Sequence, residues 1–299
     1  MFKKIVDYIS IFVLSAKRKI RYYYWIKQPK RLSEKIYFAV FNNKINWENP
    51  QNFNEKIHWL KFYSDTSQWI KLADKYRVRE YVIKCGFGHL LNELYAKYDC
   101  IDKIDISKLP SSFVLKANNG CGDALIVKDK SEITNEDVKK HFRETTKERY
   151  GVLTAEPHYL QISTCIVAEK LLERDFSSVS SSLIDYKFLC FDGEVKSILV
   201  CFNRKNSYCD LLSYDADWNL TNNCIPPTSY EIPKPQSLSL MIEACEVLSK
   251  GFPIVRIDFY EVDKKPVFGE MTFTAGAGFI NYYTSEFLDE LGSYIKLPK

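Results

Sequence analysis

The sequence predicts an α+β fold with a mostly antiparallel core, and three observations carry that prediction. Asp192-Gly193 separates two apolar runs, 185–191 and 194–202, and Asp-Gly in that position is a strong signal for a two-residue hairpin turn. Val255, Ile257 and Phe259 alternate with Arg256 and Asp258, a period of two that marks a strand; a polar turn at 263–266 then leads into a second run, 267–273. Upstream, apolar residues recur mostly at helical spacing, so helices and strands are largely segregated along the chain.

Composition sets the outer bounds. A chain of 299 residues, 46% hydrophobic and 27% charged, has the make-up of a globular protein of one or two domains. The net charge of +4 gives no reason for a nucleic-acid partner, but it is unevenly spread: residues 1–50 hold eleven Lys and Arg against three acids. Nine scattered cysteines form no C-x-x-C pair, and Cys165, Cys190 and Cys201 sit in apolar runs. They read as reduced thiols and a cytoplasmic location. No signal-peptide pattern is visible, and no apolar run approaches the ~20 residues that span a bilayer.

Taken in order, residues 1–28 read as a helix with an apolar stripe of Ile5, Ile9, Phe12 and Val13. A basic cluster (Lys17, Arg18, Lys19, Arg21) and an aromatic run, Tyr22 to Trp25, follow. Two readings fit: contact with a membrane surface at its inner face, or docking on the protein's own core. Pro29 is expected to end this helix. Residues 31–72 read as more helix, with Asn52 as a cap, and 69–83 as another closed by Gly86 and Gly88. His58 and His89 read as structural rather than as ligands. Residues 112–117 and 124–128 read as strands around a loop at 118–123. There Gly120 and Gly122 free the backbone for an anion-binding nest beside Lys116, or simply for a hairpin turn; without Gly-Lys-Ser/Thr it is not a Walker loop.

Residues 135–150 read as a charged helix and 166–172 as an apolar strand ending in Glu169-Lys170. The serine-rich 177–182 reads as a flap, 221–236 with its four prolines as a surface loop, and 237–250 as a helix packed on the last sheet. Asp185 and Lys187 share one strand face, and Arg204 lies at the end of the next strand. In the final hairpin Phe268, Glu270 and Thr272 are expected on one face, bringing Arg256, Asp258 and Glu270 into one cleft. Carboxylates on neighbouring strands are hard oxygen ligands suited to Mg²⁺, and arginine suits a phosphate or carboxylate oxygen. A solvated face of exposed ion pairs is the alternative.

Several stretches together resemble the ATP-grasp superfamily, and within it the TupA-like ATP-grasp family of polysaccharide-biosynthesis proteins. They are Phe53-Asn54-Glu55-Lys56-Ile57 with Trp59-Leu60, Asp74-Lys75-Tyr76 with Val78-Arg79, Phe113 to Asn118, Ala168-Glu169-Lys170, Asp185-Tyr186-Lys187-Phe188, and Arg256-Ile257-Asp258-Phe259 through Phe268-Gly269-Glu270. The resemblance implies two α+β subdomains with mostly antiparallel sheets enclosing a nucleotide cleft. An ATP-grasp domain at 49–299, with parts at 49–168 and 169–299, would follow a basic helical segment at 1–48.

The resemblance also implies roles. Lys116 would reach the α/β-phosphates, Gly120 to Gly122 cover them, and the backbone of Glu169, Lys170 and Leu172 meet adenine. Asp185 would take the ribose hydroxyls. Asp258 and Glu270 would hold Mg²⁺, and Arg256 would face the γ-phosphate, with Lys187 and Arg204 as further phosphate contacts. Thr272 stands where the superfamily usually has Asn, which weakens a second metal position. The implied activity is an ATP- and Mg²⁺-dependent ligase that joins a carboxylate to an amine through an acyl phosphate. The family suggests a uronic acid carboxyl on a surface polysaccharide or its lipid-linked precursor, with residues 151–165, 203–230 and 274–285 lining the acceptor pocket. A small-molecule kinase on the same fold and a degenerate nucleotide-binding scaffold are the alternatives.

Overall fold

A computed structural model describes residues 22–147, 149–173, 179–205, 208–227 and 230–298. The helix expected at 1–28 therefore lies mostly outside the described residues, as does part of the flap at 177–182. Residues 22–27 are helical and are labelled α1. The chain continues through α2 (Pro29–Phe41), α3 (Phe53–Tyr63), α4 (Ser67–Leu72), α5 (Val78–Lys84), β1 (Leu94–Tyr98), β2 (Phe113–Ala117), β3 (Leu125–Val127), α6 (Asn135–Thr145) and β4 (Ile166–Glu169). The second half holds β5 (Asp185–Phe191), β6 (Glu194–Lys205), β7 (Tyr208–Tyr214), β8 (Leu220–Thr221), α7 (Leu238–Leu248), β9 (Val255–Val262), β10 (Lys265–Thr272) and α8 (Ser285–Tyr294).

Two antiparallel sheets organise these elements. The smaller has the order β1-β4-β2-β3, the larger β10-β9-β5-β6-β7-β8. The larger sheet buries one face against α7, through Met241, Ala244, Cys245 and Leu248, and this joins the main core. The smaller covers a second core, to which α6 adds Val138 and Phe142. The smaller sheet keeps one face free of its own apolar core, whereas the second face of the larger sheet carries Asp185 and Lys187 beside the buried Leu199 and Cys201. The Asp192-Gly193 turn forms as expected, with φ of 48° and 91°. Positive φ at both residues matches the type I′ geometry that suits a twisted hairpin. Asp263 and Lys264 repeat it between β9 and β10, with φ of 51° and 63°. β10 begins at Lys265, inside the expected turn, and Pro266 is tolerated because β10 is an edge strand.

Local chemistry explains where the helices differ from the sequence pattern. Pro29 opens a helix rather than only closing one, since its fixed φ suits the first helical position. The expected helix at 69–83 is broken: Asp74 Oδ1 accepts from the amides of Tyr76 (2.8 Å) and Arg77 (3.1 Å), which turns the chain between α4 and α5. Asn52 caps α3 by accepting from the Glu55 amide at 3.0 Å. β1 was not anticipated, and neither were β7 and β8, which fall within the 203–230 stretch expected to line the acceptor pocket.

The Phe53-to-Ile57 stretch anchors the C-terminal part. Asn54 donates to Ile280 O (2.8 Å) and accepts from Ile280 N (2.9 Å). Lys56 donates to the carbonyls of Gly292 (2.8 Å) and Ile295 (3.0 Å), and Lys61 to that of Ala277 (2.9 Å). His58 is fully buried among Tyr37, Trp47 and Phe279, a packing role as expected.

Candidate functional site

The site lies on the face of the larger sheet that carries Asp185, Lys187, Arg256 and Asp258. Strand register places Lys187 opposite Asp258, Asp258 opposite Glu270, and Arg256 opposite Thr272. The expected face is corrected at Phe268, which does not share it with Glu270 and Thr272. Phe268 pairs with Phe259 while Glu270 pairs with Asp258, so Gly269 is the extra residue of a β-bulge. A bulge reverses the alternation of faces. Phe268 turns into the core against Phe259, while Glu270 and Thr272 turn to the cleft. Only glycine fits this bulge without a shift, because a Cβ there would lie 3.0 Å from the Asp258 carbonyl oxygen.

Arg256 is the hub. Its Nε donates to Asp258 Oδ1 (2.6 Å), and its Nη2 donates to Asp258 Oδ2 (2.7 Å), Glu270 Oε1 (3.0 Å) and Thr272 Oγ1 (3.1 Å). Lys187 Nζ lies 2.6 Å from Asp185 and 2.5 Å from Asp258. Arg204, half exposed, reaches Asp185 at 3.4 Å. The other Asp185 oxygen, Oδ1, is buried without a partner. Burial alone would lower Lys187, but the two carboxylates outweigh it and raise its pKa. Burial pushes Asp185 up, against the pull of Lys187. We read the group as an ion pair with Lys187 charged, since two carboxylates hold it.

The cleft's other wall comes from the smaller sheet. Lys116 and Glu169 lie on its free face, 2.8 Å apart, and Arg79 from α5 reaches Glu169 at 3.5 Å. The Lys170 amide donates to Glu93 O (2.9 Å) and its carbonyl accepts from Asn92 (2.8 Å). Leu172 lies beyond the end of β4. Gly122 has a φ of 78°, and a Cβ on Gly120 would meet only Asp123, at 3.8 Å, so the loop backbone is open to approach.

Lys75 joins the two walls. Its Nζ lies 3.1 Å from Glu270 and donates to Gly120 O at 2.5 Å, while its amide donates to Asn118 O at 2.9 Å. Burial would lower Lys75, but Glu270 outweighs it and raises its pKa. Burial alone would likewise raise Glu270; Lys75, Arg256 and Lys187 together hold it well below the usual carboxylate range. Sequence reasoning gave Lys75 no role because it sits within a helical periodicity. The signal was Asp74, whose side chain breaks that helix and presents Lys75 to the cleft.

A buried group behind the site was also missed. Glu156, 2% exposed, accepts from the Thr154 hydroxyl (2.6 Å) and the Thr274 hydroxyl (2.5 Å), tying the 151–165 stretch to the segment after β10. Ile225 N donates to Tyr282 O and Thr284 N to Asn223 O, both at 2.9 Å, so 274–285 is also knitted to the chain after β8.

A family model described as TupA-like ATPgrasp matches residues 55–296. The chain belongs to the TupA-like ATP-grasp family. Solved structures similar to this ATP-grasp protein include an L-amino acid ligase from Bacillus licheniformis (15% identity, TM-score 0.46, covering 75% of this chain and 49% of that one). They also include D-alanine–D-alanine ligases from Bacillus anthracis, complexed with ATP (15% identity, TM-score 0.41, 75% and 65%) and Helicobacter pylori (13% identity, TM-score 0.43, 83% and 68%). The chain thus spans about half to two thirds of the length of these proteins. A comparison with curated protein sequences finds no match. The two antiparallel α+β layers and the cleft between them are the ATP-grasp fold that the residues implied.

Proposed function

We propose that this ATP-grasp protein is an ATP- and Mg²⁺-dependent ligase that joins a carboxylate to an amine through an acyl phosphate. One observation carries the reading: Asp258 and Glu270 are cross-strand partners with Arg256 bonded to both, and Lys75, on the turn between α4 and α5, bridges Glu270 to the Gly120 carbonyl.

The donor set fits Mg²⁺. Among the described residues no three acidic, His or Cys side chains gather to hold an ion unaided. That matches an ion which takes one or two carboxylates and completes its shell with phosphates and water. Asp258 and Glu270 would hold it, with the Thr272 hydroxyl beside them. Bound there, it would neutralise charge on the transferring phosphoryl group.

The chain's own residues supply charge and position. Four cations, Lys75, Lys187, Arg204 and Arg256, face three carboxylates, Asp185, Asp258 and Glu270. Nucleotide phosphates would compete for these cations, and Arg256 is assigned to the γ-phosphate, with Lys187 and Arg204 as further phosphate contacts. Lys116 is assigned to the α/β-phosphates, the Gly120–Gly122 loop to their cover, Asp185 to the ribose, and the backbone of Glu169, Lys170 and Leu172 to adenine. In the first step a substrate carboxylate oxygen attacks the γ-phosphorus, the bond to the bridging oxygen breaks and ADP leaves. In the second the amine nitrogen attacks the acyl carbon, phosphate leaves and the amine gives up a proton. Such in-line transfer depends on positioning. The acceptor pocket is assigned to the segments that Glu156 and Tyr282 tie together. The family's association with polysaccharide synthesis supports a uronic acid carboxyl as the acid, on a surface polysaccharide or its precursor, and an amino acid or amino sugar as the amine.

Thermal unfolding with ATP or ADP and Mg²⁺ tests this, because a ligand of the folded state raises stability by mass action. A Mg²⁺-dependent rise in wild type that shrinks in Glu270→Gln is the expected result. Phosphate release should then require both a carboxylate and an amine; release with an alcohol acceptor and a stable phosphoester would instead identify a kinase. No rise at millimolar nucleotide in folded protein would overturn the proposal.

A further inference from the structure

The N-terminal helix α2 turns Leu32, Ser33 and Tyr37 inward, against α3 and its surroundings. The opposite face carries Arg31, Lys35 and Phe38, at the i, i+4 and i+7 spacing of one helix face. With Lys44, Ile45 and Trp47 from the loop that follows, this face encloses a surface pocket of about 720 Å³. Its apolar floor includes Phe38, which is 53% exposed.

Charge at the pocket is one-sided. Arg31, Lys35 and Lys44 form no ion pair with any described residue. Arg31 donates to the Tyr24 hydroxyl at 2.9 Å, and Lys35 lies 5.4 Å from the Trp25 ring centre. The one acid in the lining, Glu34, accepts from Trp47 Nε1 at 3.0 Å. Tyr24, bonded to Arg31 of the rim, is itself exposed. An exposed apolar hollow rimmed by three cations against one acid marks an interaction surface. Its complement is an amphiphile, with an anionic phosphate for the cations and hydrocarbon for the hollow. Tyrosine and tryptophan suit the boundary between the two. The sequence continues the pattern, since residues 1–21 hold six Lys and Arg against Asp7 alone.

We propose that the α2 pocket docks the protein on an anionic lipid surface. Arg31, Lys35 and Lys44 hold lipid phosphates, and Phe38 enters the boundary of the acyl chains. None of these residues bonds to the cleft residues described above, so the inference does not rest on the ligase reading. Nor does it need a transmembrane segment: no described helix is long and apolar enough to cross a membrane.

The test is co-sedimentation of the full chain with vesicles of phosphatidylcholine alone, or mixed with phosphatidylglycerol at roughly 7:3. Wild type should pellet with the anionic vesicles only, and less so as salt rises. Lys35→Gln with Lys44→Gln should weaken binding roughly 25-fold, about fivefold for each cation. Phe38→Ser should weaken it without changing its salt dependence. All three sites are exposed, and unchanged thermal unfolding checks that the variants fold. Absence of binding in wild type, equal binding to neutral vesicles, or a double variant that binds like wild type would each overturn the proposal. So would equally tight binding of duplex RNA that the same double variant loses, which would make the pocket a general polyanion site.

Discussion

Replacing Lys187 with methionine tests how charge is held on the site face. Lys187 bridges Asp185 and Asp258, and all three side chains are at most 12% exposed. Methionine keeps the length and removes the charge. Asp258 retains Arg256, but Asp185 retains only Arg204 at 3.4 Å, on a half-exposed side chain. Breaking a buried pair from one side costs about 3–5 kcal/mol. The remaining Arg204 contact puts the expected loss near the lower limit, about 3 kcal/mol at neutral pH, or a fall in Tm of roughly 5 °C or more. The loss should depend on pH. Burial already raises the Asp185 carboxyl, and losing Lys187 raises it further. A carboxyl whose folded pKa lies above its unfolded value binds protons more readily when folded. Its penalty is therefore absent below the unfolded pKa and grows as pH rises through the folded one. The variant's deficit should shrink on acidification. Urea unfolding at about pH 7 and about pH 4.5 reads this from midpoints and slopes. A deficit under about 1 kcal/mol at pH 7, or one that persists unchanged in acid, would refute the reading of Lys187 as the bridge between these carboxylates.

Gly269→Ala should cost about 1–3 kcal/mol, because its Cβ meets the Asp258 carbonyl at 3.0 Å; it should also reduce the thermal shift with Mg²⁺ and nucleotide, and an unchanged shift would show that the bulge does not place Glu270. Gly292→Ala puts a Cβ 2.2 Å from Gln51 O, so α8 must move off the start of α3; denaturation should show a loss of about 2 kcal/mol or more with little change in nucleotide affinity relative to the folded protein. Burial pushes the Lys61 pKa down to about 7, against the opposing pull of Glu156. Its folded pKa lies below its unfolded one, so the unfolded state binds the extra proton between them and stability from this group rises with pH. The stability difference between wild type and Lys61→Met should shift in favour of wild type by about 2 kcal/mol from about pH 7 to about pH 9; a constant difference would show that Lys61 does not titrate there.

What could be read from the residues was local. The Asp192-Gly193 turn, the alternation at 255–259 and the Asn52 cap depend on neighbours a few positions away, and short-range sterics and hydrogen bonding decide them. The side of the sheet to which Arg256 and Asp258 point followed from that alternation alone. The order and spacing of the short stretches that resemble the ATP-grasp family spanned most of the chain, which made the fold legible before any tertiary contact was known.

Other features depended on partners distant in sequence. Gly269 signals a bulge only in outline, and its effect on Phe268 and Glu270 appears once the register with Phe259 and Asp258 is set. Lys75 looks helical until Asp74 captures two amides and Asn118 accepts the Lys75 N–H. β1 and β7 show no alternation, because β1 is partly exposed along its whole length and β7 passes from exposed at Tyr208 to buried at Tyr214, so pairing rather than periodicity defines them. Glu156 and Thr274 carry no pattern that joins them. The sequence by itself determined the Asp192-Gly193 hairpin, the strand face shared by Arg256 and Asp258, and the family, because these rest on near neighbours and ordered motifs. Only the tertiary structure decided which cation meets which carboxylate, because that depends on strand register and on the turn between α4 and α5 that carries Lys75.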